Sequence, residues 1–115
     1  MEKNVKISIL LDTYGNLLTE KQFKLLDDYY NNDLSLSEIA ENDEITRQAV
    51  RDNLKKGENK LFWFEEKLEL MKKNIEKEEK VAEILSEITK IENTTSDKEL
   101  AKILQDVKNK LNCLV

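Results

Sequence analysis

Two helix-start signals, Ser35 and Thr46, stand eleven residues apart, and that spacing leaves little freedom. Ser35 is followed three positions on by Glu38, the arrangement in which each side chain satisfies an otherwise unpaired backbone N–H at the other residue. Thr46 is an equally good N-cap. Between the two caps there is room for a helix of about two turns and one tight polar turn. Ile39 and Ala40 give that short helix a small apolar face, and Ala40 lets a second helix cross close by. Ile45 is expected to plug the turn, while Val50 and Leu54, four apart, return one face of the second helix to a core. The stretch from Leu34 to Leu54 thus has the layout of a helix-turn-helix. Its second helix leaves Arg47, Gln48, Arg51 and Lys55 on the outward face, where Arg47 and Gln48 would reach base edges and Arg51 and Lys55 would meet phosphates.

The rest of the composition agrees with helices. The chain has no Pro and only two Gly, at Gly15 and Gly57, and Leu, Ile, Glu and Lys dominate it. No alternating β-branched run is long enough for a buried strand, so the expected class is all-α. The sequence divides into a helix-turn-helix head over residues 1–60 and a helical C-terminal extension over 61–115. His is absent and Cys occurs once, at Cys113, which removes the commonest metal ligand and general base and excludes an internal disulfide. Adjacent carboxylates such as Glu65 and Glu66 diverge by about 100° on a helix and make no site together. Asp52 reads as an ion-pair partner. No enzyme activity, cofactor or metal is expected. The apolar residues between Val5 and Leu11 are too few to span a membrane, and with no secretory signature the chain reads as cytoplasmic.

Charge is distributed unevenly. Residues 1–45 carry four Lys/Arg against ten Asp/Glu, residues 46–60 carry five against two, and residues 61–115 carry ten against twelve. The one basic segment is the helix that would face a nucleic acid. Its acidic surroundings oppose tight nonspecific binding, because affinity for phosphates follows the local positive field.

A first helix is expected from Asn4 to Tyr14, ended by Gly15 in a left-handed conformation. Thr19 and Gln22 form a second capping box, opening a helix from Glu20 to about Asn31 that turns Phe23, Leu26, Tyr29 and Tyr30 to the core. Beyond Gly57 a long helical pattern runs to about Glu92, roughly 50 Å at 1.5 Å per residue. That is longer than a small head can cover. A break at the polar run from Glu76 to Lys80, or pairing with a second copy, is therefore expected. The apolar seam Leu61, Phe62, Trp63, Phe64, Leu68, Met71 and Ile75 is the candidate contact for a homodimer or another partner. A third capping box, Ser96 with Glu99, opens a final helix whose apolar face carries Leu100, Ile103, Leu104, Val107, Leu111 and Leu114.

The assembled motifs resemble the YlxM family of small bacterial helix-turn-helix proteins. The matching blocks are DTYGNLLTEKQ from Asp12 to Gln22, DLSLSEIAE from Asp33 to Glu41, TRQAVRDNLKK from Thr46 to Lys56, and EEKLEL from Glu65 to Leu70. They stand in the family's order and cover about the first two-thirds of the chain. The head is also similar to the promoter-reading region 4 of sigma factors. The resemblance to the YlxM family implies an all-helical cytoplasmic regulator in the signal recognition particle pathway, acting on the particle's GTPase, its RNA, or both. The sigma likeness implies instead a dimeric DNA-binding transcriptional regulator. Two positions depart from the pattern. Asp43 and Glu44 stand where such turns carry an apolar residue and then Gly or Asn, and a left-handed Glu costs about 1 kcal/mol against Gly. Arg51 stands where the family usually has Tyr.

Overall fold

Three non-glycine residues adopt positive φ, Asp33 at 55°, Glu44 at 56° and Glu69 at 54°, and each lies between two helices. The computed structural model describes residues 1–115 as six α-helices and one 3-10 turn, with no strands. The helices are α1 (Lys3–Tyr14), α2 (Glu20–Tyr30), α3 (Leu36–Asp43), α4 (Arg47–Leu68), α5 (Leu70–Thr94) and α6 (Lys98–Asn112). The all-α expectation holds. The chain forms two compact units, Met1–Met71 and Lys72–Val115. The first is larger than the 1–60 head read from sequence and includes the whole of α4.

Local chemistry accounts for most of the helix ends in the first unit. Thr19 with Gln22 and Ser35 with Glu38 both form complete capping boxes. Thr46 accepts from the Ala49 N–H at 3.0 Å. At the end of α3, the Ile45 N–H reaches back to the Ala40 carbonyl at 3.0 Å across the left-handed Glu44. This is a helix stop normally built with Gly.

The core of this unit is Ile7, Leu10, Leu11 and Tyr14 from α1, Leu25 and Leu26 from α2, Ile39 and Ala40 from α3, and Val50, Leu54 and Leu61 from α4. The i, i+3, i+4 spacing places these residues on single helix faces. Phe23 and Ile45, both expected inside, are each 39% exposed. Ile45 lies at the mouth of a cleft, and Phe23 lies over Gly15, where a Cβ would come within 2.7 Å of its ring.

Both glycines therefore serve close approach. Gly15 has φ −54° and continues from α1 into the 3-10 turn Gly15–Leu17, so it is not the left-handed stop its position suggests. Gly57 lies inside α4, where a Cβ would stand 2.8 Å from Leu26 Cδ1 of α2.

The long C-terminal pattern breaks at Glu69, between α4 and α5, and runs unbroken through residues 76–80. Glu and Lys are good helix formers, so a charged run on a solvent face has no reason to stop a helix. At Glu69 a tertiary arrangement takes over. The Tyr14 hydroxyl donates to Glu65 Oε1 at 2.6 Å and accepts from the Leu70 N–H at 3.0 Å. Glu65 Oε1 also accepts from the Met71 N–H at 3.0 Å. Two unpaired donors at the start of α5 thus find partners in side chains from α1 and α4, and the carboxylate lies where a helix N-terminus favours negative charge.

In the second unit, Val81 and Ile88 are buried and lie seven residues apart on α5. Lys108 of α6 pairs with Glu92 of α5 at 2.9 Å. The cap of α6 is Asp97, whose carboxylate accepts from the Glu99 and Leu100 N–H groups at 2.9 and 3.3 Å. The expected Ser96 box is displaced by one residue, because Asp offers a charged acceptor at the helix start. No residue of α6 is buried.

Candidate nucleic-acid interface

The N-terminal half of α4 follows the cap at Thr46, and Val50 and Leu54 anchor its inner face, both at 5% exposure or less. That anchoring fixes which side chains face outward. Arg47, Gln48, Arg51 and Lys55 are all exposed. Arg47, Arg51 and Lys55 occupy successive turns of one side of the helix. Arg47 Nη1 reaches Ser37 Oγ of α3 at 3.5 Å, the outer limit of a hydrogen bond, and bridges the two helices of the motif. Gln48 donates to Asp52 one turn on at 2.9 Å, which places a carboxylate beside the stripe.

Arg51 and Lys55 line an open cleft with Lys3, Tyr30 and Glu58. Tyr30 hydrogen-bonds to Glu58, and Lys3 pairs with the other Glu58 oxygen at 3.6 Å. Burial raises the Tyr30 phenol above its ordinary value, and the Glu58 hydrogen bond and charge push the same way. Tyr14 is raised by the same pair of causes, burial first and the Glu65 bond second.

The apolar residues read as a partner seam lie in different environments. Leu61 and Met71 are buried within the first unit. Phe62 lies beneath Lys6 Nζ at 5.4 Å from its centroid, and Phe64 contacts the Tyr14 ring at 5.8 Å, so both are engaged by α1. Ile75 is half-buried. Trp63, at 55% exposure, and Leu68, at 44%, stay open. Three consecutive aromatics cannot share one helix face, and Trp63 is the one that turns outward.

Lys21, Lys24 and Lys56, which the sequence reading did not single out as site residues, surround a second cleft on the other flank of α4. Their sequence signal was faint: an i, i+4 pair of Lys24 with Asp28 and a Lys beside the stripe. No group of three or more Cys, Asp or Glu residues is arranged to hold a metal ion. No helix is long and apolar enough to cross a membrane.

A short capped helix, a left-handed turn residue and a second capped helix with an exposed basic face define a helix-turn-helix protein. A family model describing YlxM / p13-like helix-turn-helix proteins matches residues 1–112, and the chain belongs to this family, UPF0122. A UPF0122 protein of Acetivibrio thermocellus is 44% identical over 115 residues, covering 100% of this chain and 98% of the relative. One from Clostridium kluyveri is 50% identical over 111 residues, 95% of each chain. A third, from Fusobacterium nucleatum, is 50% identical over 80 residues, 68% of this chain and 78% of the relative.

Proposed function

We propose that this protein is a non-enzymatic, cytoplasmic nucleic-acid-binding accessory factor that engages its ligand through Arg47, Gln48, Arg51 and Lys55. The observation that carries this reading is the exposed basic stripe on the capped N-terminal half of α4, the one basic segment of a chain with net charge −5. Arg51 and Lys55 supply phosphate contacts, while Arg47 and Gln48 at the helix start reach base edges. The ligand we favour is the RNA of the signal recognition particle, with the particle's GTPase as protein partner. That preference rests on the resemblance to the YlxM family, since the stripe itself suits the phosphates of either nucleic acid.

The test is fluorescence anisotropy of the full chain against particle RNA and random duplex DNA at fixed salt, with co-purification of the GTPase. Preference for the RNA is expected, and Arg47→Glu with Arg51→Glu should weaken it at least tenfold and flatten its salt dependence. Unchanged binding in that variant would remove the stripe as the interface. The second reading is a dimeric sigma-like regulator, favoured by exposed apolar residues that a second copy would cover, Ile84 and Ile91 on α5 and Ile103 and Val107 on α6. It requires retention on a specific duplex and recognition helices about 34 Å apart.

A further inference from the structure

The second cleft of the head plays no part in that reading. Its volume is about 480 Å3, within the range of roughly 300–1,000 Å3 in which small ligands are held. Lys56 follows Arg47 by nine residues, which at 3.6 residues per turn carries it about 180° round α4. Arg47 therefore lies on the far side of α4 from Lys56, and none of Arg47, Gln48, Arg51 and Lys55 lines the cleft.

The cleft has an apolar lining and a cationic rim. Leu25, itself buried, and Ile45, at 39% exposure, supply the apolar part. An open isoleucine beside three lysines is not a residue that covers a core. On the rim, Lys24 is held by Asp28 at 3.2 Å and Asp43 at 4.0 Å, so the one lining carboxylate is already paired. Lys21 and Lys56 are exposed and engage no carboxylate. Gln22 Oε1 accepts from the Thr19 N–H at 3.2 Å, which leaves its amide hydrogens to donate elsewhere. The Asn53 amide, also on the rim, has no partner within the chain. Donors and cations outnumber acceptors around an apolar surface. The complementary ligand carries oxyanions at one end and a flat, weakly polar body with hydrogen-bonding edges at the other.

We propose that this cleft binds a nucleotide, with its phosphate at Lys21 and Lys56, its base against Leu25 and Ile45, and the base edge served by Gln22 and Asn53. Asn and Gln side chains match base edges in geometry, and lysine serves phosphate as a point charge. The same chemistry is presented by a free mononucleotide and by an unpaired nucleotide within a strand.

The full chain, labelled with 15N, is titrated with adenosine and guanosine monophosphates, adenosine, inorganic phosphate and a short single-stranded oligonucleotide. The Ile45 backbone and the Gln22 and Asn53 side-chain amides are followed by NMR. Saturable shifts at these amides are expected from a monophosphate, with adenosine and phosphate alone at least tenfold weaker. Lys21→Glu with Lys56→Glu should reduce the monophosphate response at least tenfold, while Arg47→Glu with Arg51→Glu leaves it unchanged. All four positions are exposed, and circular dichroism checks that each variant stays folded. Tighter binding of the oligonucleotide assigns the site to strands, and no gain assigns it to free nucleotides. No saturable shift with any phosphate-bearing probe, an equal response in the Lys variant, or phosphate matching the nucleotides would each overturn the assignment. Failure of the stripe variant to affect RNA would count against the proposed function and leave the nucleotide site standing.

Discussion

The Tyr14 hydroxyl works at both ends, donating to Glu65 and accepting from the Leu70 N–H, in a residue only 1% exposed. Tyr14→Phe keeps the ring and removes both bonds, and it should destabilise the first unit by about 1–3 kcal/mol in urea unfolding. A pH dependence follows from the same environment. The Tyr14 and Tyr30 phenols are both held above their ordinary value near 10 in the folded chain. Between the unfolded and folded values, the native state retains protons that the unfolded state has lost. The tyrosine contribution is thus complete below about pH 10 and declines as pH rises above it. Urea midpoints from pH 9 to 11 should fall less steeply in Tyr14→Phe with Tyr30→Phe than in the parent, a comparison that cancels the lysines. Gly57 gives a prediction of opposing terms. Alanine would gain about 1 kcal/mol of helix propensity, but its Cβ meets the fully buried Leu26, and overpacking costs about 1–3 kcal/mol. Gly57→Ala should lose about 1 kcal/mol net, read as a lower urea midpoint.

Helix ends set by neighbouring residues were legible in the sequence, and ends set by distant residues were not. The boxes at Thr19 and Ser35 and the cap at Thr46 are local, complete within three residues, and stand as read. The backbone groups freed by the break at Glu69 are met by Glu65 and by Tyr14, 51 residues upstream of Glu65, a pairing that local sequence patterns do not reveal. Gly15 misled for a related reason: helix-ending Gly and close-approach Gly look alike until Phe23 is placed over it. The left-handed Glu44 was visible as a departure from turn chemistry, and it offers a gain. Glu44→Gly removes a steric cost of about 1–2 kcal/mol and adds about 0.5–1 kcal/mol of unfolded-chain entropy. Thermal unfolding should show a net stabilisation of about 0.5–1 kcal/mol, and Glu44→Ala should show none. The basic stripe was equally legible, because a cap and two buried residues fix the rotation of α4. The Lys21, Lys24 and Lys56 cluster was not, since it joins α2 to α4 across the turn.

At the scale of the whole molecule, the two units differ in how their helices are supported. The first buries residues from all four of its leading helices, whereas α6 buries none, despite apolar residues repeating along one face. A helix of 15 residues is marginal on propensity alone. Hydrogen exchange should therefore report fast amides through α6 and slow ones at Leu10, Leu11, Val50 and Leu54. Uniform protection over both units would contradict this. Exposed Ile103, at 60%, and Trp63, at 55%, belong to different units, so a contact covering one need not cover the other.

The latch between Tyr14 and Glu65 also carries an order of events. Helices α1 to α3 are short and depend on α4 for packing, and the hydroxyl of Tyr14 has no carboxylate to meet until residue 65 has emerged, with Leu70 and Met71 to follow before the last bonds close. A nascent chain with only its first 60 residues outside the ribosome thus exposes an unlatched head, and one with residue 71 outside holds the partners of a closed one. Protease sensitivity of stalled chains should drop as residues 61–71 clear the ribosome, and the drop should be smaller in Tyr14→Phe, which keeps the burial of Leu61 and loses the latch.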